Sequence, residues 1–147
     1  MRQHFFVVAP AVAGAAAYTI AKVDLALRAE LGMPGFPAPP DAYSGYDPVL
    51  GQLSNAVMGL VMMVLIGALA RPPHRRRSRR ILLALNAVAL GTAAVMVVVF
   101  TLRAAGAAPG LGAPAVGPVT WLTLAVGAGW VVAWLSALVR ASRTRPQ

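Results

Sequence analysis

The amino-acid sequence predicts an all-α membrane protein, a bundle of four transmembrane helices with both termini on the cytoplasmic side. Three observations predict it. Of 147 residues, 59% are apolar and only 12% are charged, against roughly 45–50% and 25% in soluble domains. The mean hydropathy is +0.70. The apolar residues fall into four runs, each close to the ~20 residues that cross a ~30 Å hydrocarbon core at about 1.5 Å per residue. Positive charge is concentrated between and beyond these runs. In hydrocarbon every backbone N–H and C=O needs an internal partner, which helices supply. The runs do not alternate with period two, so a transmembrane barrel is a poor fit.

The first span covers about residues 5–23 and is uncharged until Lys22. Arg2 followed by Ala15-Ala16-Ala17 has the outline of a cleaved leader. The apolar run continues through Tyr18–Ala21 and a single arginine precedes it, so it reads as a retained span. The second span covers about residues 49–70. Asp47-Pro48 supplies an N-cap acceptor and a proline at the first helical position. Arg71-Pro72-Pro73 ends it, because two prolines break the hydrogen-bond ladder. The third span, about residues 81–102, fades into a Gly/Ala/Pro connection, and the fourth covers about residues 119–139. No internal repeat is visible, so residues 1–147 read as one membrane domain.

The outer loop, residues 24–48, reads DLALRAELGMPGFPAPPDAYSGYDP. Leu25, Leu27 and Leu31 beside Arg28 and Glu30 predict that span one continues as a short interfacial helix ended by Gly32. Pro34, Pro37, Pro39 and Pro40 favour extended polyproline geometry beyond it. Phe36, Tyr43 and Tyr46 could pack this segment onto the bundle as a cap that holds a ligand or partner. A solvated linker is the competing reading.

Orientation follows from the basic residues. The loop 71–80 holds six arginines, at 71, 75, 76, 77, 79 and 80. With this loop inside, Arg2, Arg140, Arg143 and Arg145 join them, ten in all, against Lys22, Arg28 and Arg103 outside. All four acidic residues, Asp24, Glu30, Asp41 and Asp47, fall outside. Arginine and lysine are retained on the cytoplasmic side. The formal +9 is therefore read as a record of orientation against an anionic leaflet, with the lipid bilayer as partner, rather than as a nucleic-acid patch.

Chemistry-bearing residues are few. With no cysteine, a disulfide framework, a thiolate metal site and a Cys nucleophile are excluded. His4 and His74 fall on the cytoplasmic rim, where they make a poor haem or metal pair. No catalytic residue, cofactor or metal is expected. A charge within a bilayer is a functional candidate by default, which singles out Lys22, Asp24 and Arg28. Lys22 lies close enough to the interface to snorkel, and Asp24 and Arg28, four apart, predict an ordinary helical ion pair.

Gln52 and Asn55 are placed on one face near the outer end of span two, and Asn86 near the cytoplasmic end of span three. Such amides hydrogen-bond across helix interfaces. Asn55 and Asn86 lie towards opposite membrane faces, so they are not expected to form one site. Small residues recur every fourth position in Ala9/Ala13/Ala17/Ala21, Gly51/Asn55/Gly59/Met63/Gly67 and Ala125/Gly129/Ala133/Ala137. Such rows let helices approach closely, which makes Gly59 and Gly129 candidate packing positions. Trp121 and Trp134 fit the two aromatic belts, with Trp130 deeper on the face of Trp134.

Twelve arginines stand against one lysine, in a chain rich in Ala, Gly, Val and Pro. The run Lys22…Ala26-Leu27-Arg28, then Leu31-Gly32-Met33-Pro34-Gly35-Phe36-Pro37 and Gln52…Asn55-Ala56, resembles a group of small uncharacterised four-helix integral membrane proteins of actinobacteria. The resemblance covers the first two spans and their loop. It implies a four-helix membrane protein and supplies no activity and no catalytic residue. The functional expectation is a non-enzymatic membrane protein that acts by helix packing with itself (a homo-oligomer) or with a membrane partner. A small transporter or channel subunit is the alternative. A membrane enzyme acting on lipid or quinone is disfavoured by the lack of buried acid–base groups.

Overall fold

The computed structural model describes residues 2–143, with side chains from Phe6 onward. The elements in order are α1 (Arg2–Leu27), β1 (Gly32–Met33), β2 (Phe36–Pro37), α2 (Ala42–Gly45), α3 (Pro48–Ala68), α4 (Arg76–Ala104), a 3₁₀ turn (Pro109–Leu111) and α5 (Pro118–Arg143). Four of these helices are long and apolar enough to cross a membrane. Among the described residues the protein is all-α apart from one two-stranded hairpin.

Local chemistry explains where each helix begins and stops. The Asp47 carboxylate accepts from the Leu50 N–H at 2.8 Å and Pro48 opens α3, as an N-cap followed by proline should. α1 ends earlier than Gly32. The Glu30 N–H donates to Leu25 O (2.9 Å) and the Ala29 N–H to Ala26 O (3.1 Å), the paired bonds of a Schellman stop. Ala29 takes the left-handed position, at φ +52°, where glycine is usual. Gly32 instead opens the hairpin. The arginine-rich loop is also shorter than residues 71–80, because α4 already begins at Arg76. Arginine is a good helix former, so the charged run extends the helix past its apolar stretch.

The core joins Val8, Ala11 and Ala15 of α1 to Ile66 of α3, Leu82 and Leu90 of α4, and Trp130, Trp134 and Ala137 of α5. α1 lies between α3 and α5, and α4 packs chiefly on α5 with a smaller contact to α3. Gly59 is a true close-approach position, since a Cβ there would overlap the Thr19 hydroxyl and press on the Tyr18 ring. Gly129 is not: it is exposed and a Cβ there would meet nothing. The α1 row is likewise displaced, with Ala13 and Ala17 exposed while Ala11 and Ala15 are buried. In helices this rich in alanine, small residues recur on every face, so their spacing does not select the buried one. The large side chain that must be accommodated does. Trp130 lies over Gly14, where any Cβ would overlap its indole.

Candidate functional site

The most elaborate polar construction is the hairpin that plugs one end of the bundle. Its turn is Met33-Pro34-Gly35-Phe36, with Met33 paired to Phe36 and Gly32 to Pro37. Pro34 fixes its own φ, and Gly35 supplies the positive φ, +73°, that the third position of a type II turn requires. Pro34 therefore serves a tight turn and Pro37 stands in β2. Pro39 O and Pro40 O accept from the Ala42 and Tyr43 N–H groups at 3.0 and 3.2 Å on the way into α2, so the four prolines do not form one extended polyproline run. Ala38 N–H donates back to Leu31 O at 2.8 Å, and Leu31 N–H donates to the Tyr43 hydroxyl at 2.9 Å. The segment is an ordered cap.

Two-residue strands leave several carbonyls outside the ladder, and buried carbonyls need donors. Each of the four spanning helices provides at least one. From α1, the Lys22 ammonium donates to Gly32 O at 2.7 Å. From α3, the Gln52 amide donates to Glu30 O at 2.8 Å and to Gly32 O at 3.4 Å. From α4, the Arg103 guanidinium donates to Pro37 O at 2.8 Å. From α5, the Thr120 hydroxyl donates to Gly35 O at 2.7 Å and the Thr123 hydroxyl to Pro34 O at 3.2 Å. Ordinary hydrogen bonds contribute about 0.5–1.5 kcal/mol each, and those from charged donors about 1.5–3.

Apolar packing reinforces the lacing. Phe36, Ala104 and Leu124 form a second small core with Met33, Phe100 and Ala115 against it. Arg103 lies 4.0 Å over the Phe36 ring centre, a cation–π contact that also shields the guanidinium stem. Phe100 meets Phe36 edge-on at 6.5 Å. Two buried polar atoms remain without a partner among the described residues, Gln52 Oε1 and Arg103 Nε.

Among the candidate residues, Lys22 and Gln52 come together at Gly32 O. Asn55 does not join them. Gln52 is 1% exposed, whereas Asn55 is exposed, because a three-residue step turns a helix far enough to move a side chain from the buried stripe to its edge. Asp24 and Arg28 form the expected i,i+4 pair at 3.0 Å, with both side chains exposed, so it contributes little.

Asn86 is completely buried near the other end and joins three helices. Its Nδ2 donates to Leu65 O of α3 (3.1 Å) and Leu82 O of α4 (2.9 Å). Its Oδ1 accepts from the Trp134 indole of α5 at 2.9 Å. Trp134 therefore belongs to the core and not to an aromatic belt; Trp121 remains at the rim, 46% exposed. Trp134 stacks on Trp130 at 5.5 Å and Trp130 on Tyr18 at 5.8 Å. The Lys22 ammonium lies 5.6 Å from the Tyr18 ring centre. The Trp130 indole donates to Ala11 O at 2.9 Å. A continuous aromatic spine thus links the hairpin to the Asn86 junction.

Arg103, Thr120 and Thr123 hold the hairpin, and the sequence reading did not single them out for that. Arg103 carried a signal, since it lies in the last turn of a helix whose other arginines are all at its start. Comparison with known proteins assigns the chain to no group: no family model matches it, no curated protein is similar to it, and no solved structure matches it.

Proposed function

We propose that this chain is a multi-pass protein of the cell membrane, with the arginine-rich end and both termini cytoplasmic, that works by helix packing with a second copy of itself or a membrane partner. Four helices able to span a bilayer support the membrane setting. The one-sided distribution of arginine supports the orientation. In this reading the chain is one of the small actinobacterial membrane proteins that its first two spans and their loop resemble.

The observation that carries the packing role is Asn55. It is exposed on α3, seven residues after Pro48, or about 10 Å down the helix. Its amide has no hydrogen-bond partner among the described residues. An amide facing hydrocarbon costs about 2–7 kcal/mol unless paired. Because it both donates and accepts, the same amide on a second copy satisfies it, for about 0.6 and at most ~2 kcal/mol per bond. The transporter reading needs Gln52 and Asn55 on one lining. Gln52 is held by the hairpin carbonyls, so a polar pathway would have to form between copies.

The chain has no cysteine, so a Met58→Cys variant carries one thiol, on an exposed position three residues from Asn55. Oxidative crosslinking in membranes is expected to give a covalent dimer, or a conjugate of one defined size. The crosslink is expected to fall when Asn55→Leu is added. A monomer under both conditions would contradict the packing role.

A further inference from the structure

We infer that the groove between the start of α4 and the end of α5 binds the phosphate group of an anionic phospholipid. The groove has a volume of about 260 Å³ and is lined by Arg76, Arg79, Arg80, Leu83 and Ser142. Its arginines differ in what they do. Arg79 is tied down, donating to Ala141 O at 2.8 Å and Ser142 O at 3.0 Å, which neutralises the electronegative end of α5. Arg76 and Arg80 flank it, are exposed and have no hydrogen-bond or ion-pair partner among the described residues.

No acidic side chain in this part of the chain balances them. Residues 48–147 contain no aspartate or glutamate. The residue before α4, Arg75, makes no side-chain cap, so the positive end of that helix adds to the field rather than being offset by a carboxylate. Guanidinium forks match phosphate oxygens in pairs. Basic pockets between spanning helices are where anionic headgroups are held. Leu83, one turn along α4 from Arg79 and Arg80, supplies an apolar wall on the hydrocarbon side. A free phosphate would use the arginines but gain nothing from Leu83, the Ser142 hydroxyl being already committed to Val139 O at 2.7 Å. That contrast favours the lipid.

The test is a titration of the purified full chain in mild detergent with dioleoylphosphatidylglycerol, with dioleoylphosphatidylcholine and inorganic phosphate as parallel arms, read by native mass spectrometry and by melting temperature. Phosphatidylglycerol is expected to bind and to raise the melting temperature, with phosphatidylcholine and millimolar phosphate both ineffective. Arg76→Ala/Arg80→Ala is expected to weaken phosphatidylglycerol roughly tenfold or more. Arg71→Ala/Arg77→Ala, which removes equal charge outside the groove, should weaken it far less. Circular dichroism of both variants checks that they fold. Equal losses in the two double variants would show diffuse attraction to basic charge and overturn the site. Binding of inorganic phosphate as tight as that of the lipid would overturn the lipid assignment.

Discussion

The two ends of this bundle manage backbone polarity in opposite ways. At the capped end, hairpin carbonyls outnumber their ladder bonds, and Lys22, Gln52, Arg103 and the threonines of α5 donate to them from four different helices. At the arginine-rich end, donors are in surplus: Arg79 closes α5, while Arg76 and Arg80 have no acidic side chain near them in sequence or space. The lesson is that a small membrane protein can be finished internally at one end and left electrostatically open at the other. The closed end sets shape, and the open end has to find its counter-charge outside the chain.

The strongest way to break this contrast is to remove an arginine from each end. Arg103→Ala is expected to cost about 2–4 kcal/mol, since it removes a charged hydrogen bond and the cation–π cover of Phe36. Arg77→Ala, exposed and outside the groove, is expected to stay within about 0.5 kcal/mol. Thermal unfolding in mild detergent compares them directly, and similar costs would erase the asymmetry. The body that joins the ends can be probed in the same way. Gly59→Leu is expected to lose about 2–3 kcal/mol by overpacking against Thr19 and Tyr18, whereas Gly129→Leu should be close to neutral because its site is open.

These glycines also show what could be read in advance. The four spans were legible from length and hydropathy alone, because hydrocarbon thickness dictates both. Gly59 and the Asp24–Arg28 pair followed from helical spacing. Gly129 did not hold, because spacing in an alanine-rich helix does not say which side another helix occupies. The hairpin was hidden for a different reason. Its turn rests on Pro34-Gly35, but its stability rests on donors as distant in sequence as Thr120 and Thr123. Such long-range bonds leave no local pattern. The separation of Gln52 from Asn55 was missed because two neighbouring amides look alike until the buried stripe of α3 is known.

Two smaller effects sharpen the description of the closed end. Gln52→Ala should cost only about 1 kcal/mol: it loses two donated bonds but also removes the buried, unpaired Oε1. Ala29→Gly should stabilise by about 0.5–1 kcal/mol, because glycine takes the left-handed stop of α1 without the Cβ penalty. Chemical or thermal denaturation resolves both, and destabilisation by Ala29→Gly would contradict the Schellman stop.

The central claim is that four spans lace the hairpin into the bundle, and hydrogen–deuterium exchange of the intact chain in lipid nanodiscs tests it most directly. The amides of Leu31 and Ala38, bonded to Tyr43 and Leu31, should exchange slowly, at rates closer to helix interiors than to residues 71–75. Arg103→Ala should release both, although neither bonds to Arg103. Hairpin amides that exchange as fast as residues 71–75 in the unsubstituted protein, or that ignore loss of Arg103, would contradict the account.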